Sequence, residues 1–246
     1  MRPLNATELL RVWENNFNRS PIEQSLYLLA AACSVKDVNE MAKLSIGERD
    51  SRLLQLHEWI FGSRFFNTTK CPKCGTLVEW ENDIKELRVQ FPIQEIPVEA
   101  GTFETDGFTI RFRLPNSYDM LLAASDSSYQ QHPEQLIYGC ILEAKRDEDL
   151  YRPEEIPSHV VDALDHYMAE NDPQADFGLI VNCPACEHQW TAWFDIGTYL
   201  LAEINSWAIH MLQDVYLLAK NFGWSERDIL EMSAQRRQLY LEMVRS

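Results

Sequence analysis

Apolar residues recur every three or four positions through the first 66 residues, and from residue 70 they recur every second position. The chain therefore reads as helices followed by strands. Thr7 is placed to cap a first helix whose apolar positions are Leu9, Leu10, Trp13 and Phe17. Ser20-Pro21-Ile22-Glu23 combines a capping-box pair with proline at the first helical position. It opens a second helix with Leu26, Leu29, Ala30 and Cys33 on one face. Ser45 and Glu48 open a third, with Leu53, Leu56, Trp59 and Ile60 as its buried stripe and Gly62 as its stop. Arg49, Asp50 and Arg52 read as its solvated side.

Beyond Lys70 the pattern predicts a strand over 77–84, another over 87–91, and a hairpin turning at Asp106-Gly107. In that hairpin Phe108, Ile110, Phe112 and Leu114 alternate with Thr109, Arg111 and Arg113, which gives one dry and one wet face. Pro115 ends the strand, Ser117 can cap a helix over 118–124, and Pro133 opens one through Leu136, Ile137, Cys140 and Ile141. The charged run 146–155 reads as a loop. Pro157-Ser158 leads into a helix with Val160, Val161, Leu164 and Met168 inward, which Asp172-Pro173 breaks before a strand over 177–181. Tyr199, Leu200, Ile204, Trp207, Met211, Val215, Leu218 and Phe222 then mark a helix of about six turns. Gly223 stops it, Ser225 and Asp228 restart the chain, and Leu239, Tyr240 and Val244 face inward from a last helix bearing Arg236 and Arg237.

Charge narrows the partners. With 22 basic and 38 acidic side chains the net charge is −16, which opposes a nucleic-acid backbone or an anionic membrane as the main partner. The longest apolar run, residues 26–33, is far short of a membrane span. The N-terminus carries acid where a secretion signal would be apolar, so a cytoplasmic protein is expected. The nine glycines form no G-x-G pair and no Walker A loop. The six histidines form no H-E-x-x-H, and there is no G-x-S-x-G. No catalytic residue is assigned, and an enzyme is not expected.

The cysteines carry the strongest chemistry. Cys71-Pro-Lys-Cys74 and Cys183-Pro-Ala-Cys186 are two C-x-x-C turns, and two such turns supply the four thiolates of a tetrahedral site for one structural zinc ion. Asp83-Ile84 lies twelve residues after Cys71, and Asp195-Ile196 twelve after Cys183, so each knuckle feeds a strand of similar length. Iron–sulfur ligation is the alternative metal chemistry. Disulfides conflict with a reducing compartment. His188 reads as a surface or supporting residue, and Cys33 and Cys140 as core. With 108 residues between the knuckles, metal binding would close a long loop and tie the N-terminal helices to the C-terminal ones. The expected fold is α+β: helical N- and C-terminal parts around a four-cysteine zinc ribbon with an inserted β-hairpin plus helices. Its boundaries are 1–68 (N-terminal helical region), 69–92 (first half of the ribbon), 93–175 (inserted hairpin and helices), 176–196 (second half) and 197–246 (C-terminal helical region).

Several stretches together resemble a family of baseplate proteins and hub-assembly chaperones found with contractile phage tails of the T-even type and with phage-tail-like contractile injection systems. They are LSIGERDSRLL at 44–54, CPKCG at 71–75, FRLP at 112–115, NDPQAD at 171–176, NCPAC at 182–186 and FDI at 194–196. To these the tail adds 216–230 and 236–243. One departure is Glu187, where the family pattern has glycine after the second knuckle. A non-glycine residue in a left-handed turn costs about 1 kcal/mol, so a different turn is expected there. The resemblance implies assembly or architecture rather than catalysis, with baseplate, hub or tape-measure-like tail proteins as partners, and it admits a homo-oligomer. It places the protein in the cytoplasm of the host or producing bacterium, or in the assembled tail. An assembly chaperone is the reading taken, with a resident baseplate subunit as its rival; a zinc-ribbon adaptor for nucleic acid is more distant. A partner surface would use Trp207, Trp224, Arg236, Arg237 and Tyr240, although the tryptophans also read as core.

Overall fold

The computed structural model describes residues 1–87, 101–175 and 177–245. In chain order these form α1 (Ala6–Asn16), α2 (Pro21–Cys33), α3 (Val38–Ala42), α4 (Ile46–Phe61), β1 (Arg64–Lys70), β2 (Leu77–Asp83) and α5 (Ile84–Leu87). There follow β3 (Gly101–Thr105), β4 (Phe108–Phe112), α6 (Ser117–Ser125), α7 (Ser128–Gln131), α8 (Glu134–Cys140), β5 (Ile141–Arg146), β6 (Asp149–Tyr151) and α9 (Ser158–Asn171). The chain closes with β7 (Gly178–Asn182), β8 (Gln189–Trp193), α10 (Ile196–Phe222), α11 (Glu226–Leu230) and α12 (Ala234–Arg245). The fold class is α+β. No helix among the described residues is long and apolar enough to cross a membrane.

The chain divides into two compact units. Unit 1 joins both ends, Met1–Val38 and Ile196–Ser246, and its described part is helical. Leu10, Ala208, Met211 and Leu230 are buried together with Trp13, Trp207 and Val215 packed on them. Further along α10, Leu218, Ile229 and Leu241 form a second cluster with Trp224, Tyr240 and Val244. Burying each such leucine or methionine contributes about 1.5–3 kcal/mol. The first helix is capped by Asn5 rather than Thr7: Asn5 Oδ1 accepts from Glu8 N–H, and the Glu8 carboxylate accepts from Asn5 N–H. Ser20 and Glu23 form the expected capping box. On α12 Leu241 is buried and Leu239 points outward, because position 241 faces the α10 and α11 residues of that second cluster. Phe17 is exposed at the end of α1, edge-on to Trp13.

Unit 2 is the middle of the chain, Asn39–Asp195. It contains an antiparallel sheet in the order β3-β4-β5-β6. The Asp106-Gly107 turn joins β3 to β4 with both residues left-handed, as the hairpin pattern predicts. Phe108, Ile110 and Phe112 point from β4 onto Ile137, Cys140, Val160, Leu164 and Met168 of α8 and α9. The run read as a charged loop is in part β5, a turn and β6, with Lys145↔Leu150 and Arg146↔Asp149 paired. Its polar side chains hid the strands from a pattern argument, since only Ala144 of β5 is fully buried.

Three expectations fail around α4. Gly62 stops α4 as expected, but residues 64–66, counted in the helical stretch, already belong to β1, with Phe65 and Asn67 inward. Trp59 is exposed, and Arg49, read as solvated, is buried. Arg49 Nε donates to Asp50 Oδ1 at 2.7 Å and its NH1 to Ser117 Oγ at 3.3 Å. These partners offset much of the cost of removing a guanidinium from water. Two stretches of the resemblance meet at the same helix end. Asp172, capping α4 alongside Ser45, accepts from Gly47 N–H at 2.9 Å and from the Ser45 hydroxyl at 3.0 Å. A Cβ at position 47 would lie 2.2 Å from Asp172 Oδ1, so only glycine fits. Asn116, not Ser117, caps α6. Leu87 ends a short helix, and the rest of the strand expected over 87–91 lies outside the described residues.

Candidate metal centre

Two hairpins of unit 2 build the site. β1 and β2 pair in antiparallel register from Arg64↔Asp83 to Lys70↔Leu77, and β7 and β8 from Gly178↔Trp193 to Asn182↔Gln189. Adding 112 to a position in the first hairpin gives its counterpart in the second: Lys70↔Leu77 becomes Asn182↔Gln189, and Cys71 and Cys74 become Cys183 and Cys186. The turns match bond for bond. Cys71 N–H donates to Thr76 carbonyl and Gly75 N–H to Cys71 carbonyl, both at 2.9 Å. Cys183 N–H donates to His188 carbonyl at 2.9 Å and Glu187 N–H to Cys183 carbonyl at 3.0 Å.

Glu187 corrects the expectation of a different turn. Its φ is 56°, beside 75° for Gly75, so both knuckles use the same left-handed residue. The second knuckle therefore carries about 1 kcal/mol of backbone strain that the first avoids.

Inward faces of the hairpins meet. Val78, Val181, Cys71 and Cys183 are buried, with Trp80, Trp190, Ala192 and Cys186 packed around them. Below, Phe65 and Phe194 stack with ring centroids 4.8 Å apart. This apolar floor excludes water from one side of the sulfurs, while Cys74 stays exposed on the other.

All four sulfurs lie within 4.8 Å of one another. Cys71 Sγ is 3.7 Å from Cys186 Sγ, and Cys74 Sγ is 3.5 Å from Cys183 Sγ. A tetrahedral ion with metal–sulfur bonds of about 2.3 Å requires sulfur separations of about 3.8 Å. The four cysteines are thus close enough to bind one metal ion, and the donor set is compatible with Zn2+. Electrostatics point the same way. Thr76, through its hydroxyl and its backbone N–H, draws Cys74 down to about 6. The His188 N–H holds Cys186 down, but burial and the neighbouring thiols together push it up to about 12. Four thiolates cannot share this volume without a cation.

His188 stacks against Trp190 at 6.0 Å and supports the turn through its backbone, outside the sulfur set. Cys140 is fully buried in unit 2, and Cys33 is half-buried in unit 1. The residues considered for a partner surface separate. Trp224 stacks on Phe222 at 4.5 Å and meets Tyr240 edge-on at 4.7 Å, with Arg236 5.7 Å above the Tyr240 ring. Trp207 belongs to the other cluster of unit 1. Arg237 is turned inward, its Nε 3.9 Å from Asp214 Oδ2. Sequence reasoning missed β1 and with it Phe65 and Asn67; the repeat of phenylalanine at 65 and 177, six residues before each first cysteine, was the available signal.

The profile of a family described as T4 bacteriophage base plate protein matches residues 5–199. That span contains both hairpins and ends before the tail stretches at 216–243. No curated protein and no solved structure matches the chain.

Proposed function

Because the chain belongs to the T4 bacteriophage base plate protein family, we propose that it is a non-enzymatic assembly protein of the baseplate. In this reading it is a chaperone for the baseplate or hub of a contractile phage tail or tail-like injection system, and one structural zinc ion ties its cysteine hairpins together. Family membership over residues 5–199 carries the reading. Its partners are accordingly other tail or baseplate proteins. Zinc, when bound, supplies the positive charge that lets Cys71, Cys74, Cys183 and Cys186 remain thiolates side by side. The absence of a nucleophile–base pattern in the sequence supports a role without catalysis.

Charge distribution supports a helper that must stay dispersed while its client assembles. Unit 2 holds 13 basic and 28 acidic side chains, 13 − 28 = −15 of the total −16, whereas unit 1 is nearly neutral. The second reading, a resident subunit, is favoured by the exposed Ile209, Leu212 and Tyr216 on α10, which a permanent interface would cover. Immunoblotting purified mature particles separates the two. A chaperone is required for baseplate formation yet absent from the finished tail; recovery of the chain in fixed proportion to baseplate proteins would establish the subunit instead.

A further inference from the structure

The hairpins present different outward faces. On β1 and β2 that face carries Lys70, Glu79 and Glu81 beside Thr68 and the exposed Phe66 and Leu77. At the six matching positions β7 and β8 carry Gly178, Ile180, Asn182, Gln189, Thr191 and Trp193, none of them charged; acid returns at Asp195, the counterpart of Asp83. Within a unit of net charge −15 such a face is out of character. Ile180 is 72% exposed and Trp193 71% exposed.

Trp193 is also held in place. Its ring leans over Gly178, where a Cβ would lie 3.1 Å from a ring carbon and 2.5 Å from the Thr191 methyl. Glycine thus seats one face of the indole and leaves the other to solvent. A large aromatic ring fixed before binding loses little conformational entropy on contact, which is why tryptophan dominates protein interfaces. The hairpin from 177 to 195 has two acidic residues, Glu187 and Asp195, and no lysine or arginine.

We propose that this face, centred on Ile180 and Trp193, docks a segment of another tail protein that combines apolar side chains with lysine or arginine. The proposal rests on the baseplate reading for the existence of a protein partner. Charge selects the occupant: the apolar pair takes the partner's apolar side chains, and the exposed Glu187 and Asp195 of the same hairpin, in a unit of net charge −15, favour its cations. A second copy of this chain would bring another −16 to the contact, and repulsion disfavours it.

The test uses full-length, metal-loaded protein labelled with 5-fluorotryptophan, whose seven tryptophans give separate fluorine signals; Trp193→Phe identifies the signal of residue 193. The probe is a blocked synthetic peptide of about ten residues alternating valine and lysine, a length that spans one short strand face. Binding should move the Trp193 signal, weaken as salt rises, and fall by about tenfold in Ile180→Ser, as loss of a central interface residue does. The melting temperature of that variant should stay unchanged, since the side chain is exposed. Peptides with glutamate for lysine, or serine for valine, should leave the signal in place. No movement at millimolar valine–lysine peptide, equal movement with the glutamate peptide, or an unaffected Ile180→Ser would overturn the proposal. So would a Trp193 signal that shifts with protein concentration alone while the chain sediments as a dimer, which would assign the face to a second copy. Presence or absence of the chain in mature particles does not alter these readouts, so failure here and failure of the chaperone reading are distinct.

Discussion

Residues 64–83 and 177–195 run the same course: strand, C-x-x-C turn, strand, then a helix opening at Ile84 or Ile196. The cysteines and the turn bonds repeat, and Phe65 recurs as Phe177. The other inward positions change partners, Val78 becoming Trp190 and Trp80 becoming Ala192, yet stay largely apolar, while the outward positions differ in charge. The rung Phe66↔Glu81 of the first becomes Gly178↔Trp193 in the second, and Thr68↔Glu79 becomes Ile180↔Thr191. Inward positions answer to a fixed demand, four sulfurs at tetrahedral separations over an apolar floor. Outward positions answer only to what covers them. One device thus presents a C-x-x-C pair twice, and the second copy has an outward face of its own.

Replacing one cysteine of either knuckle tests the equivalence of the two grips. Cys71→Ser and Cys183→Ser occupy matching positions and should each abolish zinc binding and lower the melting temperature by on the order of 10 °C or more, because structural zinc contributes about 10 kcal/mol or more to folding. Elemental analysis and calorimetry read both. Retention of zinc by one variant but not the other would break the symmetry. A strong chelator should reach a similar end point in the wild-type chain, with cooperative loss of structure and recovery when zinc is restored.

Smaller effects sharpen the contrast. Gly178→Ala should destabilise by about 1–3 kcal/mol by driving a methyl into Thr191 and the Trp193 ring, and Phe66→Ala, at the exposed counterpart on the first hairpin, should cost less. The turn residues should respond in opposite directions. Gly75→Ala loses about 1 kcal/mol at a left-handed position, and Glu187→Gly gains somewhat less than that, since glycine also loosens the unfolded chain. Urea unfolding of the zinc-loaded protein measures each.

Local chemistry made the metal site legible. C-x-x-C spacing fixes two sulfurs within one turn, and the matching distance to Asp83-Ile84 and Asp195-Ile196 reveals the second strand of each hairpin. The Asp106-Gly107 turn and the alternation after Phe108 were equally explicit. What stayed hidden depends on distant partners. Arg49 is buried because Ser117, remote in sequence, receives it, and Gly47 is required because Asp172 fills its space. β1 lacked a clean alternation, since Phe65 points inward and Phe66 outward. β5 and β6 carry charged side chains on their wet positions and few apolar ones on the dry side. The left-handed Glu187 could not be read from residue type at all, because the turn imposes a conformation that the side chain disfavours.

X-ray absorption at the zinc edge, taken on freshly purified full-length protein, decides whether the four sulfurs hold one ion. Four sulfur neighbours at about 2.3 Å are predicted, one pair from each hairpin. A zinc shell containing nitrogen or oxygen, or protein that is fully folded with only trace zinc, would contradict it.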